Sequence, residues 1–298
     1  MVGEPTIQGA QPVEYIEETT FATQEDSDYQ WIGITTSFSS QDEVETESAT
    51  YLPEFGASNK LDKNINIKQS EIWEADVTYH PQDFSLLQYF TGSDGGTSDD
   101  VSSVQFGVVN ESADPTTFRS LLGGVGEEFT FSVDENSTAE VDASFTFADG
   151  TDFTDTDYVD TGTHATEDST EPFAYKDLGN ITYGGTDIQG AVEGLEFSVS
   201  NELVVVRDPS LSGTRDSLVY AIVVVDREIT VDLTLTYESF DLATEIRAYE
   251  PKDLVFDVGN TTFTITGVQF PEFPYEMTPD DLIGDTVSSD RASGITWV

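Results

Sequence analysis

Asp149, Asp152, Asp155, Asp157 and Asp160 crowd one short stretch, and carboxylates held close together are the ligands that hard divalent cations take. Their spacing lacks the ordered Asp-x-Asp/Asn-x-Asp/Asn-Gly pattern and terminal Glu of a calcium loop. The stretch therefore reads as a solvated acidic linker, with no metal expected. His80 and His164 are the only histidines. Neither neighbours a Gly-x-Ser-x-Gly element or an evident nucleophile, so an ordinary polar role is expected of each. Glycoside hydrolysis needs two carboxylates across a cleft, and 58 acidic residues permit any spacing. But Trp31, Trp73 and Trp297 are far apart in the chain, so no aromatic-lined cleft is signalled. No catalytic constellation emerges, and neither an enzyme nor a cofactor is expected. Gly123-Gly124-Val125-Gly126 neither follows a clear strand nor opens a helix as a phosphate loop does, and it reads as a turn. Asn110, Asn136, Asn180 and Asn260 each open an Asn-x-Ser/Thr sequon, which matters only in an exported protein.

The elements that would position these residues are mostly strands. Trp73, Ala75, Val77 and Tyr79 alternate with Glu74, Asp76 and Thr78, the period of a half-buried strand. Ile229, Val231, Leu233, Leu235 and Tyr237 alternate with Glu228, Thr230, Asp232, Thr234 and Thr236. Further strands are expected at Phe129–Val133, Glu140–Phe147, Leu195–Val199, Leu203–Arg207, Tyr220–Val225, Leu254–Asp257 and Thr262–Phe270. Gly184-Gly185 after Tyr183 reads as a hairpin turn. Helical spacing is confined to about 82–90 and 240–248, with Ser239 placed to cap the second. Strand Trp73–Tyr79 and the helix after it recur as Val231–Tyr237 and a second helix, 158 positions later. Such an internal duplication makes one chain a pseudo-dimer.

Composition narrows the class. The chain of 298 residues carries 11 Lys+Arg against 58 Asp+Glu, a net charge of −47. Disorder is the first reading of so much charge, but 12 Tyr, 19 Phe, 3 Trp and many alternating apolar runs argue for folded cores. In molar salt the Debye length is roughly 3 Å, which screens dense carboxylates, and acidic side chains keep the surface soluble. The composition therefore points to a halophilic, haloarchaeal source. The absence of cysteine excludes disulfides and thiolate chemistry. Met1–Ala10 has no basic region followed by an apolar core, so cytoplasmic synthesis and folding are expected. No apolar run reaches the ~20 residues of a membrane helix. The charge disfavours binding to a nucleic-acid backbone or an anionic membrane.

These features divide the chain into an N-terminal arm over 1–14, a β domain over 15–148, an acidic linker over 149–171, a second β domain over 172–286 and a C-terminal arm over 287–298. The expected class is mainly β, as two tandem β-sandwich domains, each with a short flanking α-helix.

Val13-Glu-Tyr-Ile-Glu-Glu-Thr-Thr-Phe-Ala-Thr23, Trp31-Ile-Gly-Ile-Thr-Thr-Ser-Phe38 and Tyr79-His-Pro-Gln-Asp-Phe-Ser-Leu-Leu-Gln-Tyr-Phe90 resemble the tail tube (major tail) proteins of long-tailed, siphovirus-like viruses. Gly179–Gly185, Phe197–Leu203, Arg227–Tyr237 and Phe263–Phe270 extend the resemblance over nearly the whole chain. It implies a structural virion protein without catalytic residues, whose rings stack into a tube that conducts viral DNA during ejection. Its partners would be its own copies and the tail proteins at the tube ends, with no membrane and no specific DNA contact. Assembly would take place in the host cytoplasm. Glu74, Asp76, Glu228 and Asp232, on the polar faces of the repeated strands, are the candidate lumen-lining residues. If each half is one tube domain, three chains close a pseudo-hexameric ring. An exported cell-surface or S-layer-type β protein is the alternative, followed by a halophilic hydrolase.

Overall fold

The computed structural model describes residues 13–51, 63–92, 101–110, 113, 115–207, 219–235, 250–271 and 285–298. The second helix expected at 240–248 and the end of its strand at Tyr237 lie outside the described residues. The strands are β1 (Val13–Glu17), β2 (Gln30–Trp31), β3 (Ile34–Tyr51), β4 (Lys63–His80), β5 (Val104–Asn110), β6 (Thr117–Asp134), β7 (Glu140–Phe147) and β8 (Asp149–Gly150) in the first part. In the second part they are β9 (Leu178–Tyr183), β10 (Thr186–Asp187), β11 (Val192–Arg207), β12 (Val219–Leu235), β13 (Lys252–Val258), β14 (Thr261–Val268), β15 (Asp285–Ser288) and β16 (Gly294–Trp297). The protein is mainly β, as its alternation requires.

One continuous ladder, β3-β4-β7-β6-β11-β12-β15, crosses the larger sheet, and every pairing in it is antiparallel. β6 pairs with β11, so this ladder spans the linker that separates the two expected domains. The N-terminal half of β6 leaves the ladder to pair with β5, which continues to β1 and β2. A separate five-stranded sheet runs β10-β9-β13-β14-β16. These two layers cover the apolar face of the ladder. Phe106 of β5 meets Phe145 of β7 at 4.7 Å between ring centroids, and Phe197 of β11 meets Phe263 of β14 at 5.5 Å. Edge-to-face and offset aromatic pairs of this kind add to plain area burial.

The turn after β4 carries the one α-helix of the described residues, α1 (Gln88–Thr91), entered through a 3-10 turn at Ser85–Leu87. Asp83 Oδ1 accepts the Ser85 amide at 2.9 Å and starts that turn. A helix leaves its last carbonyls without internal partners, and here the second half of the chain supplies donors. Asn201 Nδ2 donates to the carbonyls of Phe90 and Gly126 at 3.0 and 2.9 Å. Arg227 Nε donates to Asn201 Oδ1 at 2.9 Å, and its guanidinium reaches the Thr91 carbonyl.

The glycine run read as a turn lies inside β6, which passes without a break from one layer to the other. A Cβ on Gly126 would sit 2.4 Å from the Phe90 ring, and one on Gly124 would sit 2.3 Å from the Phe147 ring. These positions are glycine because aromatic rings lie directly on the backbone. Gly184 and Gly185 do form a two-residue hairpin turn between β9 and β10, with φ of 58° and 82°, the positive values that such turns demand. Asp149–Glu171, read as a solvated linker, lies against the first part of the chain through Tyr158, Thr161 and His164. The segment read as a C-terminal arm pairs internally, β15 with β12 and β16 with β14.

Candidate functional surface

Strand alternation puts every second side chain of the ladder on the face that the covering layers leave bare. Glu74, Asp76, Glu228 and Asp232 all fall on this face. Cross-strand register makes this explicit, because directly opposite residues of antiparallel strands project to the same side. Asp76 pairs with Ser39 on β3 and with Ser144 on β7. Ser144 pairs with Glu128 on β6, Glu128 with Ser200 on β11, and Ser200 with Glu228 on β12. Asp76 and Glu228 thus share a single row, begun by Ser39, in which Ser alternates with an acid. At ~4.8 Å per strand they stand roughly 19 Å apart.

The neighbouring rows have the same chemistry. One runs Ser37, Thr78, Asp142, Thr130, Ser198, Thr230. Another runs Glu140, Ser132, Glu196, Asp232, Ser288. No Lys or Arg interrupts these rows. The hydroxyls are donors for the acids: Ser39 Oγ donates to Asp76 Oδ2 at 3.2 Å, and Thr78 Oγ1 to Asp142 Oδ1 at 2.6 Å. Gln41 Nε2 donates to Glu74 Oε2 at 2.9 Å. Ser198 and Thr230 hydroxyls bond each other at 2.7 Å.

Like charges opposed across strands oppose folding. Partial burial, and then the negative charges of Asp232, Asp134 and Asp142, push the Glu196 carboxyl above its ordinary range. Glu127, at the bulge in β6, is raised by burial and by Glu74, Glu128 and Asp76, against a hydrogen bond from Thr146. The surface carries a dense negative field: its three rows hold no cation, and Arg291 reaches its edge beside Glu228, where it pairs with Asp226; such an arrangement repels anions.

The other sequence-singled residues lie elsewhere. His80 Nδ1 is 2.8 Å from the Ala139 carbonyl. His164 sits between Glu14 Oε1 at 2.7 Å and Asp157 Oδ2 at 3.1 Å, its ring stacked on Phe118. Burial opposes its charge, yet the hydrogen bonds to Glu14 and Asp157 hold its pKa above the ordinary histidine value. Glu14, 2 % exposed, also accepts the Tyr158 hydroxyl at 2.5 Å and the Ala165 amide at 2.6 Å. Sequence reasoning passed over Glu14 and Asn201. An acid in an otherwise apolar strand, Val13-Glu14-Tyr15-Ile16, was the available signal for the first. Among the described residues no group of three or more His, Asp or Glu side chains is arranged to hold a metal ion. A cleft lined by Trp31, Asp83 and Asp168 runs beside β2. Asp168 there is held below the ordinary carboxylate range by the Thr170 hydroxyl and amide, the reverse of a general acid.

The structure defines the class as a layered, mainly β protein with one bare face of acids and hydroxyls. The family model described as phage tail tube protein matches residues 15–294, and the chain belongs to that family. Comparison with curated proteins returns no match. Members of the family are structural components of the virion tail that assemble with their own copies into a tube and meet other tail proteins. Neither the surface-layer reading nor the hydrolase reading is favoured. No helix among the described residues is long and apolar enough to cross a membrane.

Proposed function

We propose that the acid and hydroxyl face of the ladder lines the lumen of a tail tube, in a siphovirus-like virus of a haloarchaeal host. The observation that carries the reading is the placement of Glu74, Asp76, Glu228 and Asp232 on one face whose rows hold no cation. DNA phosphates bind through cations and the release of counterions. A wall of carboxylates offers neither, so DNA slides through without sticking. The net charge of −47 fits a host interior at molar salt, where such a wall is screened enough to assemble. The rings form in the host cytoplasm and end on other tail proteins.

The repeat supports a ring geometry. Glu74 of β4 and Asp232 of β12 are 158 positions apart, and their flanking residues alternate in and out alike. Four successive antiparallel pairings separate β4 from β12, so the two strands run in the same direction. Repeats placed side by side with the same direction meet head to tail, and such a contact closes into a ring where the rotation between repeats divides a full turn. β7 beside β4 and β15 beside β12 hold matching places, with Thr146 opposite Glu74 and Ser288 opposite Asp232. Three chains then supply six repeats to one ring.

The test is ejection through tubes that carry Asp76→Lys and Glu228→Lys. The proposal expects intact tails whose DNA release slows at least tenfold and recovers as salt rises. Unchanged release, with both lysines labelled by a reagent confined to the tube exterior, would place this face outside.

A further inference from the structure

A strap of residues 154–165 closes over the side of the β1–β5 layer that faces away from the ladder. Tyr15 of β1 and Phe106 of β5 point into the core, where they meet Tyr89 and Phe145. Glu14 and Gly107 pair directly and, by strand alternation, project to the opposite side. Tyr158 lies on the bare backbone there, where a Cβ on Gly107 would collide with its hydroxyl. Phe118 of β6 stacks on the His164 ring at 5.9 Å between centroids. The strap is also buckled to the segment before β2. Asp26 accepts the Asp160, Thr161 and Gly162 amides at 2.9, 2.8 and 3.1 Å, and Asp28 accepts the Thr163 hydroxyl at 2.7 Å.

Glu14 is the buried anchor of this contact, and its partners Tyr158, His164 and Ala165 all belong to the strap. A carboxylate enclosed this fully is costly without an opposite charge, and His164 supplies that charge when protonated. The second ring nitrogen faces Asp157. An imidazolium donates from both nitrogens and a neutral ring from one. Loss of the proton therefore takes the donor from Glu14 or from Asp157, and it leaves Glu14 enclosed without its cation. Lifting the strap returns Glu14 to water. Around the ring, burial, and then Glu14, keep the Tyr158 and Tyr29 hydroxyls above the ordinary tyrosine range. The Thr161 amide and hydroxyl hold Asp26 down at about 2, and Asp28 is engaged by Thr163. β5 and β6 bring the uncharged Gly107 and Phe118. Of this set, histidine is the side chain suited to change charge near neutral pH.

We propose that His164 is a proton-operated latch: as an imidazolium between Glu14 and Asp157 it holds residues 157–165 down on β1 and β5, and once its proton passes to solvent this stretch lifts and uncovers Glu14. The imidazole is 37 % exposed, so it exchanges the proton without prior opening. Burial opposes its charge, and the hydrogen bonds to Glu14 and Asp157 raise its pKa above the ordinary value. The closed strap is therefore favoured below that raised pKa, and the open strap gains above it. The opening is local. It breaks bonds to β1 and to residues 24–29, and it leaves every pairing of the ladder in place.

The experiment is amide hydrogen exchange of the full chain in molar salt, read by mass spectrometry from pH 6 to pH 9 and corrected for the intrinsic rate at each pH. Peptides over 157–165 report the strap, and β7 is the internal reference. In wild type the corrected strap exchange should rise two- to fivefold across this range while β7 stays constant. His164→Gln should exchange fast at both ends with no step. Asp157→Asn, a change at a half-exposed side chain, should keep the step and move it to lower pH. Tyr158→Phe should speed exchange at every pH and keep the step. A wild type without a step would overturn the proposal. So would a step that survives in His164→Gln, or one that Asp157→Asn leaves at the wild-type pH, because another group would then be titrating. Strap and β7 speeding up together would also overturn it, since the opening would then be global.

Discussion

Single residues hold this fold through contacts between distant segments. Gly126 lies beneath the Phe90 ring at the point where β6 changes layers, and Asn201 ties both to the second half. Gly126→Ala places a methyl where only 2.4 Å is open, and overpacking of that kind costs about 1–3 kcal/mol. Chemical denaturation should show that loss; an alanine variant as stable as wild type would mean the ring moves freely. His164 gives a pH dependence. Its folded pKa is raised above the unfolded value near 6.5, so its contribution is complete below about pH 6.5. That contribution fades as pH rises through the folded pKa. The imidazole is 37 % exposed, so the effect should stay under ~1 kcal/mol. The stability gap between wild type and His164→Gln should shrink from pH 6 to pH 9, and a gap that widens would contradict the assignment. None of these contacts was legible in the sequence. Glu14 and His164 are 150 positions apart, and periodicity carries no information on such pairings.

Elements were legible wherever one face is wet and the other dry. β7 occupies Glu140–Phe147 as its alternation predicts, and β14 falls within one residue of the expected start. The failures share one cause, a strand whose two faces do not contrast. β3 presents Ser37, Ser39 and Gln41 outward and only Phe38 as a large inward residue before Gln41, so it shows no apolar period. β5 is buried on both faces, Gln105 included. The glycines of β6 imitate turn chemistry because rings replace side chains there. At this scale the acidic rows make a further prediction. Glu196 opposes Asp232 directly, and its raised pKa means the folded state bears a cost above that pKa, relieved as pH falls through it. Glu196→Gln should therefore stabilise the protein at neutral pH in dilute buffer by a few tenths to ~1 kcal/mol. The gain should shrink in molar salt, where the part due to the neighbouring acids is screened and the part due to burial stays. A stabilisation that persists undiminished in molar salt would show that the cost is burial of a polar group rather than charge.

The whole molecule is a duplicated hairpin plan laid side by side in one ladder, dry on the face its other layers cover and acidic on the face they leave bare. The parity of the four candidate residues was legible from alternation alone. Their gathering into shared rows was not, because it depends on the β6–β11 joint between the halves. The central claim is that this face encloses a lumen in rings of three chains. The most direct measurement is a cryo-electron microscopy reconstruction of tubes assembled in molar salt. The account predicts three chains per ring, strands β4 and β12 repeating at near-sixfold positions, and Asp76 and Glu228 on the inner wall. Six chains per ring, or these two carboxylates on the outer surface, would contradict it.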